Sequence, residues 1–162
     1  MLLALLTSTV AIAQDANEAP QAENAPAHIL FEGIEVKGDI FDFSKALQSK
    51  GYKLQRRDAN ARNYVFKGTV CGVSTQFQVS FTRHSKTVYR IMAQLKNIPL
   101  DVLLDTLNTR YGEPYDVTTR GYQWQVPAGG VMLGTPDGYD PTLVVMDAQG
   151  VAAFKEEDNR RM

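Results

Sequence analysis

Two histidines and one cysteine are the side chains of this 162-residue chain best suited to nucleophilic or metal chemistry. A serine or cysteine nucleophile needs a base within hydrogen-bond reach. His28 precedes the first alternating apolar segment and His84 lies in the polar turn 83–86, so neither is placed beside a nucleophile. Cys71 lies in the strand-like run 69–73, where a free cysteine behaves as a small buried hydrophobe. The sequence therefore predicts no catalytic residue and no enzymatic activity.

Metal and cofactor sites are likewise not indicated. Two distant histidines and a single cysteine do not make a zinc-ligand spacing. Asp137 and Asp140 are too few for a calcium loop, so the Pro-rich segment around them is interpreted as a plain turn. Gly129-Gly130 is not followed by a phosphate-binding helix and is interpreted as a hairpin turn. We expect no metal and no cofactor.

The best candidate for binding is a set of polar side chains on one face of a predicted sheet. In 73–82, apolar or β-branched residues alternate strictly with Ser, Gln and Thr. The candidate protein-binding face comprises Ser74, Gln76, Gln78, Ser80, Arg90, Gln94, Gln123 and Gln125. This face is polar but nearly uncharged, which is compatible with docking of a partner. The alternative is that it is the solvated side of an antiparallel sheet.

Two helices are predicted to support this sheet. Asp39 is suited to cap a helix over 40–50 that ends at Gly51, and Pro99 to begin a second helix that ends at Gly112. We expect Phe43, Leu47, Leu103, Leu104 and Leu107 to be buried against Phe77, Val79 and Phe81. A strand with a bend at Gly33 is predicted over 28–36. Further strands are predicted near 52–56, 64–71, 73–82, 87–96, 115–119, 122–126, 130–135, 142–147 and 151–154, with a turn at 148–150.

The order of these elements repeats along the chain. Gly51 and Gly112 each end a helix, and several short strands follow each of them. The predicted fold is α+β, built of two helix-plus-antiparallel-strands pseudo-repeats over 28–97 and 98–158. Both helices are expected on one face of a continuous antiparallel sheet. These residues form a single domain, and the tail 159–162 is expected to fray.

The first 13 residues are uncharged and apolar or small, and they end in Ala11-Ile12-Ala13. This pattern predicts a secretory signal peptide over 1–13. The Ala-, Asn- and Pro-containing segment 14–27 is predicted to be a flexible leader. We therefore expect a periplasmic or secreted protein with no membrane span. The net charge of −1 does not favour nucleic acid as a partner.

A resemblance supports the same interpretation. The stretches 28–54 and 64–72 and the helix end Arg110-Tyr111-Gly112-Glu113-Pro114 resemble uncharacterised exported bacterial proteins with an architecture like that of β-lactamase inhibitor protein. The resemblance implies a concave sheet surface presented to another protein. The leading hypothesis is a non-enzymatic envelope protein that binds an envelope or extracellular protein through its open sheet face. The alternative, a periplasmic carrier of small molecules or lipids, requires an apolar cavity.

Overall fold

The computed structural model describes residues 27–136 and 139–160. The predicted signal peptide, the leader up to residue 26, Asp137 and residues 161–162 of the tail lie outside these ranges. The elements in chain order are β1 (Leu30–Phe31), β2 (Ile34–Glu35), α1 (Ile40–Ser49), β3 (Lys53–Asp58), β4 (Asn63–Val70), β5 (Val73–Phe81), β6 (Val88–Gln94), α2 (Leu100–Tyr111), β7 (Asp116–Thr118), β8 (Gly121–Val126), β9 (Gly129–Gly134), β10 (Thr142–Asp147) and α3 (Ala148–Asn159). None of the helices in the described ranges has the length and hydropathy needed to cross a membrane.

Strands β3 to β10 form one open antiparallel sheet with the order β3-β4-β5-β6-β10-β9-β8-β7. Each half is a meander of four strands preceded by a helix, and the halves meet where β6 pairs with β10. This confirms the α+β fold and the repeated order of a helix followed by strands. The repeat places α1 and α2 in equivalent positions before the two meanders.

Local capping and apolar spacing explain α1 and α2. The Asp39 side chain accepts a hydrogen bond from the Asp42 backbone N–H at 2.9 Å, which caps α1. Helix α1 buries Ile40, Phe43 and Leu47, and α2 buries Leu103 and Leu107. These side chains share one core with Phe77, Val79 and Phe81. Leu104 was also expected to be buried, but it is only partly buried at the edge of this core.

The predicted strand 151–154 and the turn at 148–150 are wrong. The chain forms α3 here, and the Asp147 carboxylate caps this helix by accepting a hydrogen bond from Gly150 N–H at 3.0 Å. Gly150 allows close contact with β6, because a Cβ at this position would lie 2.3 Å from the Val88 carbonyl oxygen. Phe154 stacks on Tyr89 with ring centroids 4.7 Å apart. The helix also continues through the charged residues to Asn159.

Two tight turns replace predicted strand segments. The segment 28–36 is a small hairpin, not one bent strand, because Glu32 and Gly33 both adopt positive φ values of 49° and 78°. Cys71 and Gly72 have the same combination, 49° and 82°, and connect β4 to β5. Positive φ at both central residues is typical of the two-residue turns that join antiparallel strands. Cys71 is therefore a turn residue whose side chain is nevertheless buried.

Candidate functional site

The sheet has two different faces, and strand pairing shows which residues share each face. Directly paired residues of neighbouring antiparallel strands project to the same side. One row of partners consists of Leu54, Phe66, Phe77, Ala93, Leu143, Leu133 and Tyr122, all in the core or packed against it. The adjacent row on the opposite face consists of Arg56, Val65, Gln78, Met92, Val144, Met132, Gln123 and Asp116. We call this opposite side the open face.

The open face is more apolar at its centre than the sequence indicated. Val65, Met92, Val144 and Met132 lie between the polar side chains, and Met132 is 38% exposed. These positions alternate with core residues along their own strands, so they project away from α1 and α2. Methionine is enriched at protein interfaces because its flexible thioether adapts to a partner. The face is therefore a mixed amide and apolar surface.

Two depressions on this face contain most of the predicted candidate residues. The first has a volume of about 490 Å³, and Gln76, Gln78 and Gln94 line it together with Arg56 and Met92. The second encloses about 580 Å³ and contains Gln123 and Gln125 together with Met132. Helix α3 forms one wall of the second depression through Val151, Ala152 and Lys155. The predicted residues thus fall into two neighbouring groups rather than one continuous patch.

Three candidate residues lie outside these depressions. Ser74 is exposed and borders a shallower hollow with Lys53 and Lys67. Ser80 is only 5% exposed, and its hydroxyl lies 3.4 Å from Arg90 Nη2, which donates to it. Arg90 is itself half-buried. Ser80 is therefore not available to a partner, and Arg90 interacts mainly within the protein.

Charge is distributed unevenly, which the net charge of −1 conceals. Residues 50–96 contain ten Lys or Arg side chains and one Asp, a difference of nine positive charges. Lys53 and Lys67 face each other on the open face, and Arg56 lies beside them. The half of the open face formed by β3 and β4 is therefore basic rather than nearly uncharged. Counting charge segment by segment along the sequence would have revealed this feature.

The buried side chain of Cys71 lies beside the Glu32–Arg110 ion pair. Glu32 accepts a hydrogen bond from Cys71 N–H at 3.1 Å, and Arg110 Nη1 lies 3.8 Å from Sγ. Burial raises the pKa of the Cys71 thiol to about 11, although the Arg110 charge lowers it. The thiol therefore stays protonated near neutral pH. A protonated thiol is a poor nucleophile, because the thiolate is the reactive form. This environment is that of a structural cysteine.

The side chain of His28 also has a structural contact. His28 Nδ1 lies 3.1 Å from Asp147 Oδ2, and the other carboxylate oxygen of Asp147 accepts from Ile29 N–H at 3.0 Å. Asp147 also caps α3, so this carboxylate joins the first described residues to the last helix. Asp147 is the only side-chain hydrogen-bond partner of His28 within 27–136 and 139–160. Within the described ranges, this pair links the segment before β1 to the start of α3.

No set of three or more His, Cys, Asp or Glu side chains in the described ranges is arranged to hold a metal ion. Comparison with known proteins gives no further assignment: no family model matches the chain, and no curated protein or solved structure matches it. The open face and its surroundings therefore remain as the candidate functional site.

Proposed function

We propose that this protein is exported to the cell envelope or secreted and there binds another protein through the open face. The observation that carries the proposal is the row of Met92, Val144 and Met132, which pair across β6, β10 and β9 and are at least partly exposed on the face opposite α1 and α2. A sheet face that serves only as solvated surface carries mainly polar side chains. Apolar side chains flanked by neutral amides are typical of a protein interface.

The position of the charges specifies the kind of partner. Lys53, Arg56 and Lys67 lie at the β3 and β4 end of the open face, and none of them has an ion-pair partner in 27–136 or 139–160. A partner surface with carboxylates opposite this end would complement them and would speed association.

A carrier of small molecules or lipids is the alternative, and the geometry supports it less well. The space between helices and sheet is filled by aromatic rings, with Phe77 centred 5.0 Å from Phe31 and 5.7 Å from Phe66. Trp124 fills the second half of the core and donates from its indole N–H to the Gly112 carbonyl. The depressions described above open to the surface, whereas a lipid carrier needs an enclosed apolar cavity.

Site-specific photo-crosslinking in cells tests the proposal. A photoreactive residue replaces Gln76, which is exposed on the open face, and in a matched variant it replaces Gln48, which is exposed on α1. We expect the Gln76 variant to yield a discrete adduct containing one second protein, and the Gln48 variant to yield none. Equal adducts from both positions, or none from Gln76 and from a further variant at Gln94, would contradict binding through this face.

A further inference from the structure

Two turns meet at one end of the sheet and bring cations together from separate parts of the sequence. The turn between β3 and β4 contributes Asn60 and Arg62, and the turn between β5 and β6 contributes Arg83, His84 and Lys86. These residues and Ala59 line an open surface depression of about 470 Å³, called the cationic cavity below, and no carboxylate is among them. In the described ranges, Arg62, Arg83 and Lys86 make no ion pair. We propose that this end of the sheet binds a tetrahedral oxyanion, a phosphate or sulfate group.

The backbone conformation of two of these cations is the second observation. Arg62 and Lys86 have φ values of 54° and 59°, in the left-handed region that favours Gly and Asn. Both positions are held by long-range hydrogen bonds, because Arg62 O accepts from Phe81 N–H and Lys86 O accepts from Ile40 N–H. A residue other than Gly in this region is strained, and such strained residues are found preferentially at functional sites. Here they place two long cationic side chains at the same cavity.

The second turn is held in place by hydrogen bonds within the protein. The Ser85 hydroxyl lies 2.7 Å from the Thr82 hydroxyl and 2.8 Å from that of Thr87. Glu157 of α3 accepts from the backbone N–H groups of His84 and Ser85, each at 2.9 Å. Glu157 does not line the cavity, and both of its oxygens are engaged, so it positions the turn. A preorganised turn loses little conformational entropy on binding.

The chemistry of the lining identifies the class of ligand. Arginine presents several N–H donors that match the oxygens of a phosphate, and lysine adds a further charge. Three cations around a small cavity favour a group with more than one negative charge over a single carboxylate. Such a group has two possible sources, a soluble phosphate compound or the headgroup of an anionic lipid. This site is separate from the open face and does not depend on the proposed function.

Binding is measured with inorganic pyrophosphate as the soluble probe, at low ionic strength, by the shifts of backbone amide signals in NMR spectra. We expect the signals of Arg62, Arg83 and His84 to move, with those of Gln76 unchanged. Arg62→Gln with Lys86→Gln should weaken binding about tenfold or more, since each lost contact is charge-assisted. Lys53→Gln with Lys67→Gln removes the same charge from the open face and should change affinity less than about twofold. Arg83→Gln serves as a second test if the first double variant unfolds.

Sedimentation with vesicles distinguishes the two sources. Phosphatidylcholine vesicles with and without phosphatidylglycerol are compared, using the same variants. Shifts with pyrophosphate support a soluble ligand, and binding only to the anionic vesicles supports a lipid headgroup. Either result supports the oxyanion site if Arg62→Gln with Lys86→Gln loses the binding and Lys53→Gln with Lys67→Gln keeps it. Equal losses in both double variants, or no binding to either probe, would overturn the site.

Discussion

Replacement of Glu157 by Gln tests how α3 is attached to the rest of the fold. Glu157 accepts hydrogen bonds from His84 N–H, Ser85 N–H and the Ser85 hydroxyl, the last at 2.6 Å. Partial burial by itself raises the pKa of this carboxyl, but the hydrogen bonds from Ser85, His84 and Thr82 outweigh burial and lower its pKa to about 2. The ionised form is therefore the one that the folded protein stabilises.

The sign of the pH dependence follows from this lowered pKa. The stabilising contribution of Glu157 is fully present above its ordinary pKa of 4.5 and is lost as the pH falls from 4.5 through about 2. Hydrogen bonds to a charged group contribute about 1.5–3 kcal/mol, and solvent screening of a partly exposed carboxylate reduces this to about 1 kcal/mol. Gln keeps one acceptor oxygen, but it places an NH₂ group where an acceptor is needed.

Urea unfolding at a series of pH values measures this effect. We expect Glu157→Gln to be less stable than the parent by about 1 kcal/mol at neutral pH, with the difference closing as the pH approaches 2. Glu156→Gln is the matched control on the same helix, because Glu156 is exposed and forms an ion pair with the exposed Arg160. That control should change stability by less than about 0.5 kcal/mol. A Glu157→Gln effect that does not depend on pH would refute the reasoning.

Two further predictions concern the core and the export of the chain. Leu107→Ala should lower the free energy of unfolding by about 2–5 kcal/mol because Leu107 is fully buried. Leu100→Ala on the same helix removes a side chain that is 39% exposed and should have a much smaller effect. Equal losses of stability in chemical denaturation would contradict the packing. N-terminal sequencing of the protein from the envelope or medium should begin at Gln14, and intact Met1 in the cytosol would contradict export.

Local sequence signals were sufficient for most of the fold. Asp39 begins α1 because its carboxylate accepts a hydrogen bond from a free backbone N–H of the first turn. Gly51 and Gly112 follow the last residues of α1 and α2 and mark where these helices end. The strict alternation in β5 predicted both its strand structure and the two sides of the sheet. The repeated order of elements then predicted one antiparallel sheet built of two helix-plus-strands units, and this fold is confirmed. The caps and the strand alternation depend on neighbours close in sequence.

Features that depend on residues far apart in sequence required the tertiary structure. The run Val151-Ala152-Ala153-Phe154 fits a strand or a helix equally well, and contact with Tyr89 and Val88 of β6 decides for α3. The apolar row on the open face exists only because the register aligns Met92, Val144 and Met132, which no local pattern specifies. The cationic cavity likewise joins two turns that lie about twenty residues apart and become neighbours only when β4 pairs with β5. Strand pairing and helix docking bring these distant groups together, because burial and hydrogen bonding are satisfied over the whole sheet rather than along the chain.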